Sequence, residues 1–161
     1  INTSILNSLS LFKQEKLNLI WQTGKHFSAI AINAVKELST DGISTFSFIK
    51  NIETAYTAAD IIISRAGAIA ISELCVIGKP LILIPSPNVA ENHQFKNAQS
   101  LVNKNAALLV KDSQANDKLV LKIISLKNDS QLMKELSVNI KTMEAKEASS
   151  IIASHAMSLI K

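Results

Sequence analysis

Asp60–Glu73, DIIISRAGAIAISE, has the residue types and spacing of an anion site. The apolar run Ile61-Ile62-Ile63 reads as a buried parallel strand, short and β-branched. Ser64-Arg65-Ala66-Gly67 then turns the chain. Ala68-Ile69-Ala70-Ile71 opens a helix whose first backbone N–H groups have no partner within it. Small residues there admit a ligand close to the main chain, and the helix dipole favours negative charge at that spot. Ser72 and Glu73 carry the helix on, and Glu73 lies about one and a half turns in, within reach of a hydroxyl beside the anion. An anion next to a diol is what a nucleoside diphosphate presents. A plain strand–turn–helix unit that binds nothing has the same pattern, so this stretch alone leaves both readings open.

The following residues add a second polar set. Gly78-Lys79-Pro80 is a helix stop followed by a breaker. A second buried strand, Leu81–Ile84, ends at Pro85-Ser86-Pro87. Glu91-Asn92-His93-Gln94-Phe95-Lys96-Asn97-Ala98 then begins another helix with Asn92 as its N-cap. His93, Gln94 and Asn97 fall at spacings that place them on one helical face. In an open α/β sheet, ligands bind outside the carboxyl ends of the strands, and both polar sets lie there.

These residues carry a family resemblance. The run from Phe48 to Ala107, with SRAGA, GKP, ENHQ and the FIKNIETAY stretch, closely resembles the carboxy-terminal, donor-binding domain of the lipid II-forming peptidoglycan GlcNAc transferases of glycosyltransferase family 28. Trp21-Gln22-Thr23-Gly24 fits the same pattern. The resemblance covers nearly the whole chain and weakens after about Lys111. Its SRAGA-to-GKP section is shared with related lipid-sugar transferases, whereas the other segments narrow it. It implies one half of a two-domain, inverting GT-B enzyme that moves GlcNAc from UDP-GlcNAc to undecaprenyl-pyrophosphoryl-MurNAc-pentapeptide. Uracil would sit at main-chain groups near Phe48 and Ile49, covered by Ile52. The ribose would bind Glu73, and the diphosphate the amides of Ala68, Ile69 and Ala70, beside Ile71 and Ser72. GlcNAc would bind Gln94 and Asn97, with His93 assisting. The resemblance implies no cofactor and no metal. It implies a peripheral enzyme of peptidoglycan synthesis, serving cell-wall biogenesis, cell division and cell shape at the cytoplasmic face of the plasma membrane.

Composition agrees with one domain. The chain has 161 residues, 47% of them hydrophobic, and only four Gly and three Pro. No repeat, signal peptide or membrane-spanning run is present, and the single Cys75 cannot form an internal disulfide. Cys75 reads as a small buried hydrophobe, and the chain as cytosolic. The net charge of +4 comes from sixteen Lys and one Arg against thirteen acids. The lysines are scattered, so nothing points to nucleic acid; weak attraction to anionic lipids is the functional alternative to a plain solvated surface. Arg65, in the phosphate-side turn, suits a pyrophosphate or a buried carboxylate equally, or a structural ion pair holding the loop. His26 and His155 have no ligand-type neighbours at metal spacing.

The elements that must position these residues alternate. Helices are expected at Thr3–Lys16, His26–Leu38, Ile52–Ala58, Ala68–Ile77 and Gln94–Lys104. Strands are expected at Leu17–Trp21, Ile43–Phe48, Ile61–Ile63, Leu81–Ile84 and Ala107–Val110. Helices over Asp117–Leu126, Ser130–Ala145 and Ser149–Ile160 make up the carboxy-terminal part, residues 112–161. The pattern predicts an α/β, Rossmann-like parallel sheet with helices on both faces. Ile151, Ile152, Leu159 and Ile160 read as core contacts of the last helix. By the resemblance, the chain opens inside the first helix, without the preceding central strand and its Gly-Gly-Ser turn. A single donor domain over 1–161 is therefore expected to be a fragment, inactive alone, with two unpaired strand edges. The acceptor domain and the catalytic base would lie outside it.

Two related enzymes compete: a glycolipid synthase, expected to carry a Gly-Gln-Glu type segment in place of Asn92-His93-Gln94, and the soluble subunit of the dolichol-linked GlcNAc transferase, against which the WQTGK and FIKNIETAY stretches stand. A non-catalytic nucleotide-binding or interaction module on the same fold is the third alternative.

Overall fold

The computed structural model describes residues 1–39, 41–89, 92–144 and 148–159, the side chains of 148–152 excepted. Strands β1 (Leu19–Gln22), β2 (Ile43–Phe46), β3 (Ile62–Ser64), β4 (Leu81–Leu83) and β5 (Leu108–Leu109) alternate with helices. These are α1 (Asn2–Asn7), α2 (Leu9–Gln14), α3 (Ser28–Leu38), α4 (Ile52–Ala58), α5 (Ala68–Ile77), α6 (His93–Val102), α7 (Ala115–Lys127), α8 (Ser130–Lys141) and α9 (Ala148–Leu159). All strand pairs are parallel, as the apolar runs predict.

The pairing falls into two pieces, β1–β2 and β3–β4–β5. Among the described residues no strand joins β1 to β3, so each keeps one edge without a strand partner, as expected. One hydrophobic cluster nevertheless spans both pieces. Ile5, Leu9 and Phe12 of α1 and α2 pack with Trp21 and Ile43 of the small sheet and with Ile82 and Ile84 of the larger. Asn2 reinforces the join: it accepts a bond from Trp21 Nε1 at 3.0 Å and donates to Thr23 O at 2.7 Å.

Strand β4 separates two cores. Ile82 and Ile84 face α1, α2 and α7, whereas Leu81 and Leu83 face Leu74 and Cys75 of α5 and Ala98 and Leu101 of α6. Residues one apart on a strand point to opposite faces, so this alternation places helices on both sides of the sheet. α5 ends at Gly78 in the left-handed region, φ 69°. A Cβ there would meet the Lys141 stem, and Ser137 donates its hydroxyl to the Gly78 carbonyl.

Several boundaries differ from expectation for local reasons. The first helix is broken at Ser8, whose amide pairs with Ile5 O at 3.0 Å, three residues back, while Leu11 N–H starts the next turn on Ser8 O. It stops before Lys16, which is left-handed (φ 52°) and lets Leu17 N–H close on Phe12 O at 2.9 Å. Leu17 is thereby withdrawn from β1. Strand β2 stops at Phe46 because its partner strand stops at Gln22, opposite it in register. α3 begins at Ser28, two residues after His26. α6 includes His93 and stops at Val102, and α7 runs from Ala115 to Lys127 after a 3-10 turn at Asp112–Gln114. Leu159 is 79% exposed, so it is not a core contact. Ile151, Ile152, Ile160, Ala145 and Glu91 lie outside the residues whose side chains or placement are described.

Two measurements check this packing. Phe12 is 2% exposed in the cluster that spans both sheet pieces. Phe12→Ala is expected to cost about 3–5 kcal/mol of unfolding free energy, read by urea titration. Cys75 is 4% exposed, and burial, with the nearby Glu144 carboxylate adding to it, raises its thiol pKa. At pH near the ordinary thiol value of about 8.5, iodoacetamide should leave native Cys75 unmodified and label it promptly in denaturant. Rapid native labelling would contradict the buried placement.

Candidate functional site

The polar groups singled out by the sequence gather where β3, β4 and β5 end. Helix α5 starts at Gly67 with φ −69° and ψ 145°, with no side-chain cap and no acid in its first turn. Its first intrahelical bond runs from Ile71 N–H to Gly67 O at 2.9 Å. The amides of Ala68, Ile69 and Ala70 therefore precede the hydrogen-bonded part of the helix and aim outward with the positive end of its dipole. A Cβ on Gly67 would meet nothing within 4 Å, so the approach to this turn is open. Ala68 and Ile69 are exposed, Ile69 by 79%, and Glu73 is exposed one turn further on. Ser72 uses its hydroxyl on Ala68 O at 3.1 Å, and Ile71 packs inward. Glu73 also acts on Tyr56 of α4: burial, and then the Glu73 carboxylate, raise the phenol pKa.

Arg65 is a strap across three strand ends. Its Nη1 donates to Ile84 O at 3.1 Å, Pro85 O at 3.3 Å and Asp112 Oδ1 at 2.5 Å. Of the partners left open by the sequence, the structure shows a carboxylate and two carbonyls holding loops together. The sequence missed Asp112. Its signal was a position two residues after the apolar run that holds β5, at the same end of the sheet as the other polar groups.

Gln94 and Asn97 both lie near the start of α6 and both already hold a loop. Gln94 Oε1 accepts from Ser86 N–H at 2.9 Å, and Asn97 Nδ2 donates to Ala66 O at 3.1 Å. No further bond to a described residue is made by the Gln94 NH2 or the Asn97 carbonyl oxygen, leaving a donor group and an acceptor group. Asn92 does take the N-cap position, with a left-handed φ of 54°, but its side chain makes no capping bond. His93 is exposed beside it.

Ile49 stands apart from this group. It lines a cavity of about 640 Å³ with Ile20, Phe46, Phe48, Asn51 and Thr54, and its N–H donates to Gln22 Oε1 at 2.8 Å. Phe48 is 71% exposed at the rim. A second cavity, of about 410 Å³, lies among Pro85, Ser86, Pro87, Phe95, Lys111 and Ser113. Residues 68–73 line neither cavity and form an open shelf, with Ala68, Ile69, Ser72 and Glu73 exposed. Among the described residues no three His, Cys, Asp or Glu side chains are grouped to hold a metal, and no helix is long and apolar enough to cross a membrane. The shelf can bind an anion through main-chain amides, with a carboxylate for hydroxyls nearby.

Known proteins are similar to this chain. The family model for the glycosyltransferase family 28 C-terminal domain matches residues 1–152. A UDP-N-acetylglucosamine–N-acetylmuramyl-(pentapeptide) pyrophosphoryl-undecaprenol N-acetylglucosamine transferase of Phocaeicola vulgatus is 44% identical over 95% of this chain and 41% of its own length. The enzyme of the same name from Bacteroides thetaiotaomicron is 42% identical over 99% of this chain and 43% of its own length. The crystal structure of Acinetobacter baumannii MurG superposes with a TM-score of 0.78 at 22% identity, covering 98% of this chain and 45% of that one. The chain thus spans less than half the length of these relatives, and the last comparison bears on the fold alone. With a family model covering nearly every residue and relatives above 40% identity, the chain belongs to the glycosyltransferase family 28 C-terminal domain family.

Proposed function

We propose that these 161 residues are the donor-nucleotide domain of an inverting N-acetylglucosaminyltransferase that moves GlcNAc from UDP-GlcNAc to undecaprenyl-pyrophosphoryl-MurNAc-pentapeptide. The observation that carries this reading is the uncapped, open start of α5 with Glu73 exposed one turn on, in a chain whose relatives bear that activity as their name. On this reading the Ala68, Ile69 and Ala70 amides hold the diphosphate. They stabilise the charge that grows on UDP as the glycosidic bond breaks. Glu73 accepts from the ribose hydroxyls. Uracil takes main-chain groups at Ile49, where its oxygen trades places with the Gln22 amide on the Ile49 N–H. The leftover Gln94 NH2 and Asn97 oxygen give a sugar hydroxyl one donor and one acceptor, which a hydroxyl can use at once. His93 is placed to assist.

The attacking MurNAc hydroxyl and the base that takes its proton are assigned to sequence outside these residues, with residues 112–161 serving as the carboxy-terminal helices of the donor domain. The relatives' printed names include an undecaprenol-linked acceptor; on this reading the full-length protein works at the cytoplasmic face of the plasma membrane, peripheral to it. The reading needs no cofactor and involves no nucleic acid.

Calorimetry with UDP, UDP-GlcNAc and ADP tests the nucleotide assignment: the uridine ligands should bind and ADP should be clearly weaker, and equal affinities would remove uracil from Ile49. Glu73→Gln keeps size and helix propensity. It should leave the melting temperature nearly unchanged while weakening UDP by about 1.5–3 kcal/mol, the loss of charge-assisted bonds to the ribose. An unfolded variant with intact affinity in its folded fraction would make Glu73 a scaffold residue.

Gln94→Glu isolates the sugar contact from the loop contact. The carboxylate still accepts from Ser86 N–H, so the loop stays braced, but the donor left for the sugar is gone. UDP-GlcNAc affinity should therefore fall more than UDP affinity, by about 1–3 kcal/mol. Equal losses for both ligands would confine Gln94 to bracing.

A further inference from the structure

We infer that Arg65 and Asp112 are positioning residues for donor-sugar recognition: their ion pair sets where the Gln94 and Asn97 amides meet the sugar. This rests on the donor-binding reading above. The geometry is a chain of short contacts. Ile84 O and Pro85 O lie beyond the last paired residue of β4, Leu83, and both accept from Arg65 Nη1. The next peptide carries Ser86 N–H, the group that holds Gln94 Oε1. On the other side of the arginine, Ala66 follows Arg65 directly, and its carbonyl holds Asn97 Nδ2. Gln94 and Asn97 are thus each anchored to a backbone group one residue away from a point that Arg65 fixes.

Asp112 completes the strap, 47 residues away in sequence, from the turn that follows β5. Without it the guanidinium would have two carbonyls but no countercharge. A pair with side chains 39% and 31% exposed gains little net stability from its charges. Its contribution is convergence: one guanidinium nitrogen, Nη1, gathers two carbonyls beyond β4 and the carboxylate of the turn after β5 at one point. Because Asp112 neutralises it, Arg65 is not the countercharge of the diphosphate, which the α5 amides serve.

The test uses 15N-labelled chain with Asp112→Asn, Arg65→Met and the double variant, read by amide NMR and by calorimetry with UDP and UDP-GlcNAc. Each single variant should shift the Ser86 amide and the Gln94 and Asn97 side-chain NH2 signals. The double variant should add little to either. The UDP-GlcNAc-over-UDP preference should fall by roughly tenfold with UDP affinity nearly kept. Unmoved Ser86, Gln94 and Asn97 signals in folded Asp112→Asn would overturn the clamp. So would additive effects, or equal weakening toward both ligands, which would make Arg65 a diphosphate contact. If the unsubstituted chain binds neither ligand, the donor reading fails, and the NMR signals still decide by themselves whether the pair holds the two amides.

Discussion

Strand β4 is the constraint on which the larger half of the structure depends. Leu81, Ile82, Leu83 and Ile84 are each fully buried, so both faces of this strand are enclosed by helices. A strand buried on both faces must have its backbone groups paired along both edges, since an unpaired buried N–H or C=O costs as much as a lost hydrogen bond. β3 and β5 supply that pairing, and Ile84 N–H is met by Ser64 O at 2.9 Å beyond the last ladder residue. The helices then have no choice of side. α5 and α6 cover Leu81 and Leu83, and the first helices with α7 cover Ile82 and Ile84. All three strands run parallel, so their carboxyl ends open at one rim, where every backbone group past the ladder needs another partner.

That rim explains the polar side chains. Past Leu83 the carbonyls of Ile84 and Pro85 have no strand beside them, and Arg65 takes both. Past Ser64, the Ala66 carbonyl is met by Asn97. Past Pro85, the Ser86 amide is met by Gln94. The start of α5, like that of α6, is given no side-chain cap, and its first amides face outward at a turn with open space around Gly67. An uncapped helix start with an open approach and small residues offers a place for an anion.

Much of this was legible in the residue pattern, and the reasons are local. The apolar runs of β3 and β4, the SRAG turn and the Gly78 stop fix α5 to the residue, because each signal lies within a few positions of the boundary it sets. The split of the first helix at Ser8 was not legible. A serine is tolerated inside helices, and only the packing of Ile5 and Leu9 into one cluster shows the break to be accommodated. Strand ends were overestimated at Leu17 and at Ser47-Phe48, since strand length is set by the partner's register and by the Lys16 turn, not by hydrophobicity. Asp112 was missed for a related reason. An ion pair between residues 47 apart leaves no periodic trace, and the carboxylate is recognisable only once β5 is seen to end beside β4.

The same accounting bears on how the candidate sugar site differs from the candidate phosphate site. The α5 amides are main-chain groups, and their direction follows from the helix itself, so substitution along Ala68–Ala70 by other small residues would leave them in place. Gln94 and Asn97 are side chains with several rotatable bonds, and a side chain that reads a ligand hydroxyl must first lose that freedom. Here each amide has spent one half on a backbone group that is itself held by the strap or adjoins it, so the ordering is achieved before any ligand arrives. Binding then costs less entropy, and the unspent donor and acceptor are presented at fixed positions. On the proposed reading, a tie that would be scaffolding in isolation becomes part of recognition: the bonds that hold the loops are the bonds that aim the amides.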